Sequence, residues 1–237
     1  MIARAAGAVS IVFGKQLLKI VIVLFNGITA LDAVGPYEVL SRLPDVDLHF
    51  AAAKAGAVRT DNGMLSLVAD AELAELLDPD VVVVPGGLGT RGLLDDEPLL
   101  DWLRQAHEGS RWTTSVCTGA LLLAAAGILE GVEATTHWAE LETLSRYGAI
   151  PVSERVVERG KLITAAGVSA GIDMGLTLAA HLAGETVAQA IQLAIEYDPQ
   201  PPFDAGSLAK ASREALATLR ALSRSREGRD AGVEASR

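Results

Sequence analysis

Three short stretches hold the residue types that could do covalent chemistry. "SVCTGA", residues 115–120, contains Cys117, the single cysteine of the chain, between an apolar run and a segment of leucines and alanines. A thiol at such a junction sits where a nucleophile elbow places its residue, and the flanks of that tight turn must be small, as Ser115 and Gly119 are. Amides at the N-terminus of a helix starting at Thr118, with the helix dipole, would favour the thiolate. The competing reading is a small, inert core cysteine.

The second stretch is Pro85-Gly86-Gly87, after four valines. Glycines admit a ligand close to the backbone, and a free amide at Gly87 would stabilise an oxyanion or imidate nitrogen, although the same residues also suit a plain turn. The Gly-x-x-x-x-Gly-Lys pattern of a phosphate loop is absent. The third is "ITALDAVGP", where Asp32 stands among apolar neighbours. Asp32 either caps a helix or, beside a thiol in an apolar pocket, carries a proton at a raised pKa. Thiol and carboxyl would then share one proton and titrate as a pair. His137, in "ATTHW", reads as a structural histidine beside Trp138, and His49, His107 and His181 as surface or core positions. No metal-ligand spacing is present, so no metal is expected.

The elements that must position these residues alternate. Lys19–Phe25, Val46–Ala53, Asp80–Val84 and Arg111–Val116 read as strands, the third buried on both faces as in a central parallel strand. Thr29–Ser41, Pro98–Glu108 and Thr118–Leu129 read as helices, the last closed by Gly131. A hairpin over Val58–Val68 is expected to turn at Asp61-Asn62-Gly63. Further on come a helix over His137–Tyr147, a hairpin around Arg159-Gly160, a helix over Ser169–Leu182 with Ser169 as N-cap, and a helix over Thr186–Glu196. The pattern predicts an α/β fold: a doubly wound, mostly parallel sheet with helices on both faces. Ligands in such sheets sit beyond the carboxyl ends of the strands, where Asp32, Gly86, Gly87 and Cys117 would all arrive.

Composition narrows the function classes. A net charge of −10 argues against nucleic-acid and anionic-membrane partners, which need a basic face. A single cysteine excludes an internal disulfide and suits a reducing, cytoplasmic setting. No apolar run reaches the roughly 18–20 residues of a spanning helix. The expected organisation is a flexible extension over residues 1–18, one α/β domain over 19–206, and a charged helical or disordered tail over 207–237.

These residues carry a resemblance. "LDAVGPYEVLSRLPDVDLHF", "VVVVPGGLGT", "SVCTGALLLAAAGILEGVEATTHW", "GAIPVSERVVERGKLITAAGVSAGID" and "EYDPQPPFDAGS" resemble the PfpI/ThiJ superfamily of flavodoxin-like proteins with an elbow cysteine, and within it the isonitrile-hydrating branch. Protease-like and glyoxalase-like members usually carry histidine after the cysteine and glutamate near the first strand; here those places hold Thr118 and Asp32. The resemblance implies a hydro-lyase, with a small-molecule isonitrile hydrated to an N-substituted formamide through a cysteine thioimidate. It puts the nucleophile on Cys117, the general acid and base on Asp32, and a role in activity on Thr118. It implies no organic cofactor and a homodimer. The rival expectations are a hydrolase or hydratase acting on another small substrate, and a non-enzymatic thiol or ligand sensor.

Overall fold

The computed structural model describes residues 17–222. The extension expected over 1–18 lies outside them except for its last two residues, as do residues 223–237 of the tail. The chain opens with β1 (Leu18–Val23), α1 (Ala30–Leu40) and β2 (Val46–Ala52), then forms the hairpin β3 (Gly56–Arg59) and β4 (Ser66–Ala69). A short β5 (Ala71–Glu72) leads to β6 (Val81–Val84), α2 (Glu97–Gly109), β7 (Trp112–Val116) and α3 (Gly119–Ala125). Then come β8 (Glu133–Ala134), α4 (Leu141–Arg146), β9 (Ile150–Pro151), β10 (Val156–Arg159), β11 (Leu162–Ala165), α5 (Ala170–Ala183) and α6 (Glu185–Ala194).

Seven strands form the main sheet in the order β10-β11-β7-β6-β1-β2-β5. Every pairing in it is parallel except that of β10 with β11. The centre is buried on both faces, which is why β1 and β6 read as unbroken apolar runs rather than alternating ones; Ile20–Val23 and all four valines of β6 are fully buried. From β1 the chain winds outward through β2 to β5, then returns to the other side of β1 at β6. The loops leaving β1 and β6 therefore part in opposite directions, which makes this the switch point at which open α/β sheets bind their ligands.

Three local expectations are corrected. The helix predicted over Thr118–Leu129 stops at Ala125, because Gly127 at φ +79° donates to Ala124 O at 2.9 Å while Ile128 N–H reaches Leu123 O at 3.0 Å. That pair of bonds is a Schellman motif, so Gly127 and not Gly131 ends the helix. Ser169 stands at the N-cap position of α5 but does not cap it: its backbone is already helical at φ −68° and its hydroxyl makes no cap bond. The hydroxyl accepts from Arg155 Nη2 at 3.4 Å instead. The segment predicted as one helix over His137–Tyr147 is a 3₁₀ turn, Trp138–Glu140, running into α4.

The chain divides into two compact units between Tyr197 and Asp198, where the proline-rich stretch begins. In the second unit Lys210 pairs with Asp204 at 2.6 Å and residues 213–222 are helical.

Candidate active site

Strand β7 runs straight into Cys117, whose φ of +56° puts a side-chain-bearing residue in the left-handed region. That conformation costs roughly 1–2 kcal/mol and persists only where the surroundings fix it. The fixing is visible: Cys117 N–H is shared between Ala165 O (3.0 Å) and Ala166 O (2.9 Å) at the end of β11. The Cys117 carbonyl accepts the buried Thr136 hydroxyl at 2.7 Å. The turn also needs glycine two residues on. A Cβ at Gly119 would lie 2.0 Å from Val84 O, so α3 starts against the rim of β6 with no room for a methyl group. Gly119→Ala is expected to destabilise the fold by about 3 kcal/mol or more, read as a lower urea midpoint at unchanged m-value.

Asp32 lies in the first turn of α1 and is fully buried. Its Oδ2 accepts Gly86 N–H at 3.0 Å, and its Oδ1 has no hydrogen-bond partner. Thr118 is tied to the neighbouring glycine: its Oγ1 accepts Gly87 N–H at 2.8 Å and donates to Gly87 O at 3.2 Å. The Gly87 amide, expected to be free for an oxyanion, is therefore occupied. Gly86 and Gly87 position Asp32 and Thr118 with their amides. The fit is close, since a Cβ on Gly86 would sit 2.6 Å from Thr118 Oγ1 and 3.0 Å from Asp32 Oδ2.

Burial controls the electrostatics. Desolvation raises the Asp32 carboxyl from 3.8 to about 7, against the pull of the Gly86 amide and the Cys117 thiol, and the charge of Asp61 adds to the rise. Desolvation also pushes Cys117 up to about 12, with the Asp32 charge behind it, while the amides of Val168 and Thr118 pull the other way. The helix-terminus effect expected to favour a thiolate is thus present, but it loses to burial and to the neighbouring carboxylate. Near neutral pH the pair holds one to two protons, and the last of them leaves only at high pH.

Of the sequence-derived candidates, Asp32, Gly86, Gly87, Cys117 and Thr118 meet at one place. His137 heads the turn behind it, where its Nδ1 accepts Ala139 N–H at 3.3 Å and its ring lies 5.3 Å from that of Trp138. His49 pairs with Asp47, His107 bonds to Thr113 and His181 to Glu158. Among the described residues no group of three or more His, Cys, Asp or Glu side chains converges as metal ligands would. Sequence reasoning missed Thr136 and Val168. The threonine was visible only as part of "ATTHW". Val168 carried no signal at all, although its φ of +26° is strained for a β-branched residue and its amide faces the sulfur.

An α/β sheet of this order with a left-handed cysteine at the end of β7 defines a class, and the family model described as DJ-1/PfpI matches residues 18–181. The chain belongs to the DJ-1/PfpI family. It is 47% identical over 190 residues to the isonitrile hydratase of Pseudomonas putida, a match covering 80% of this chain and 83% of that one. It is 32% identical over 151 residues to the HTH-type transcriptional regulator CdhR of Pseudomonas aeruginosa, covering 62% of this chain and 44% of the regulator. Among solved structures, a ThiJ/PfpI family protein from Pseudomonas syringae superposes with a TM-score of 0.83 at 34% identity, covering 96% of each chain. No helix among the described residues is long and apolar enough to cross a membrane.

Proposed function

We propose that the chain hydrates an isonitrile, R–N≡C, to the formamide R–NH–CHO, with Cys117 as nucleophile and Asp32 as proton carrier. The observation that carries this reading is the burial of the Asp32 carboxyl and the Cys117 thiol together, with Gly86 N–H on Asp32 Oδ2 and Oδ1 left without a partner; desolvation raises both groups, so the pair keeps a proton above neutral pH. The similarity to the Pseudomonas putida enzyme supports the substrate class. An isonitrile carbon must gain both a nucleophile and a proton, and a thiol–carboxylate pair supplies both from a site with little water.

The steps balance on that single proton. As sulfur attacks the terminal carbon, the proton passes by way of Asp32 to the same carbon, giving the thioimidate R–N=CH–S and leaving Asp32 as carboxylate. Asp32 then takes a proton from water as the hydroxyl adds to carbon, and returns it to the nitrogen. Asp32 next takes the hydroxyl proton while the carbonyl forms and the thiolate leaves, then passes that proton to the sulfur, so the pair ends as it began. The amides of Thr118 and Val168, which act on the sulfur, steady its charge in the first and last steps. Neither metal nor organic cofactor has a part in the scheme; the resemblance adds a homodimer, which sedimentation analysis tests, and the free thiol suits the reducing cytoplasm.

Incubation of the purified protein with a panel of isonitriles tests the reading, with loss of the isonitrile stretch in the infrared and formamide by mass spectrometry. Absence of formamide from the whole panel rejects it. Thr118→Val strips the acceptor from the buried Gly87 N–H, which costs about 1–3 kcal/mol of stability. The displaced loop is expected to lower kcat/KM by roughly 10²-fold. Thr118→Ser, which keeps the hydroxyl, is expected to recover most of both.

A further inference from the structure

The turn that delivers Asp32 is held from outside by the β3–β4 hairpin. Gly27 N–H donates to Arg59 O at 2.8 Å, and Arg59 N–H donates to Asn26 Oδ1 at 2.9 Å. Beyond them, Asp61 N–H donates to Ile28 O at 2.9 Å, and the Thr29 hydroxyl donates to Asp61 Oδ2 at 2.6 Å. Thr29 is itself a junction. Its amide donates to Gly86 O at 2.9 Å and its carbonyl accepts Asp32 N–H at 3.0 Å, while Gly86 N–H holds Asp32 Oδ2. A half-buried carboxylate at a hairpin tip thus closes a short hydrogen-bonded circuit around the buried carboxyl.

We propose that Asp61 is a positioning residue for the Cys117–Asp32 pair: it clamps Thr29, and so the turn carrying Asp32, and sets a second negative charge beside that carboxyl. Asparagine would serve a plain hairpin tip equally well. A carboxylate here opposes ionisation of Asp32, the direction in which its charge acts. The titratable groups that act on Asp32 are Cys117, from the end of β7, and Asp61, from the hairpin. The inference deepens the hydration reading by naming what tunes its proton carrier, yet its test does not require an isonitrile.

Because Cys117 is the only cysteine, iodoacetamide consumption by the full chain reports on this thiol alone. Once the pair loses its first proton, the Asp32 carboxylate can take the thiol's proton as the sulfur attacks, so the alkylation rate of the wild type is expected to rise with pH through an inflection near 7. Asp32→Asn is expected to abolish that inflection, and its survival there would detach it from Asp32 and overturn the proposal. Asp61→Asn keeps an acceptor for Thr29 and removes the charge; the inflection should fall by about half a pH unit. Asp61→Glu should leave it near the wild-type position. An unmoved inflection in a cooperatively folded Asp61→Asn protein overturns the proposal, and Asp61→Ser gives the same reading should the amide variant not fold. Isonitrile turnover measured alongside reports separately on the hydration reading, since its absence leaves the alkylation profile interpretable.

Discussion

Cys117→Ala is expected to leave no measurable formamide, a loss of at least about 10⁴-fold in kcat, with the protein still folded. Neither of the threonine hydroxyls tied to this turn is free to take over. Thr118 has its hydroxyl committed to both the amide and the carbonyl of Gly87, and Thr136 spends its own on the Cys117 carbonyl. Cys117→Ser is expected to be as inactive as the alanine variant. An alcohol begins with a higher pKa than a thiol, and burial beside Asp32, which already lifts the thiol to about 12, would raise it further. Both variants are also expected to keep the same backbone turn, since the strained φ of +56° is dictated by the Ala165 and Ala166 carbonyls rather than by the sulfur. Turnover retained in either variant would remove Cys117 from the reaction.

What the sequence made legible and what it hid separate on physical grounds. Local, periodic features were readable. Four consecutive valines require burial on both faces, so β6 had to be central, and its glycines had to lie at the carboxyl rim beside the cysteine. Thr118 in the place of a histidine narrowed the chemistry. Hydrogen bonds between distant segments were not readable. Gly87 looked like an open anion site in a string of letters, and only the fold shows its amide filled by a hydroxyl 31 residues away. The weight of desolvation on Cys117, which exceeds the pull of the Val168 and Thr118 amides, was hidden for a related reason. A helix N-terminus is a local feature with a known sign, whereas desolvation depends on how many other segments close over the sulfur. Asp61 was read as a turn residue, because nothing in "TDNG" records that its side chain reaches Thr29.

Asp32→Asn is expected to lower kcat/KM by about 10²–10⁴-fold while making the fold more stable at neutral pH than the wild type. The two effects share one cause. In the unfolded chain this carboxyl ionises near 3.8, but in the folded protein only near 7. Between those values the folded state binds more protons than the unfolded state, so the contribution of Asp32 to stability falls as pH rises from about 4 to 7 and is level above that. The penalty at pH 7.5 is a few kcal/mol, because the carboxylate is buried with Oδ1 unpartnered and a single amide on Oδ2. Asparagine carries no charge to desolvate and keeps an oxygen for the Gly86 amide. Its buried amide nitrogen adds a loss that does not depend on pH, so the informative quantity is the difference between the two proteins across pH. In urea titrations that difference should move in favour of Asp32→Asn by a few kcal/mol between pH 4 and 7.5. Cys117, raised from 9.0, does not interfere in this range. The wild-type kcat/KM should rise with pH about a midpoint near 7, where the pair loses the first of its protons, and the residual activity of the variant should lack that limb. A stability difference that stays constant with pH would show that Asp32 is not held protonated in the fold, and would remove it as the acid of the first step. The stability penalty and the activity limb thus share a midpoint: the proton that burial keeps on the carboxyl until near neutral pH must leave before the pair can act, and the one the pair still holds above that pH is the one passed to the isonitrile carbon.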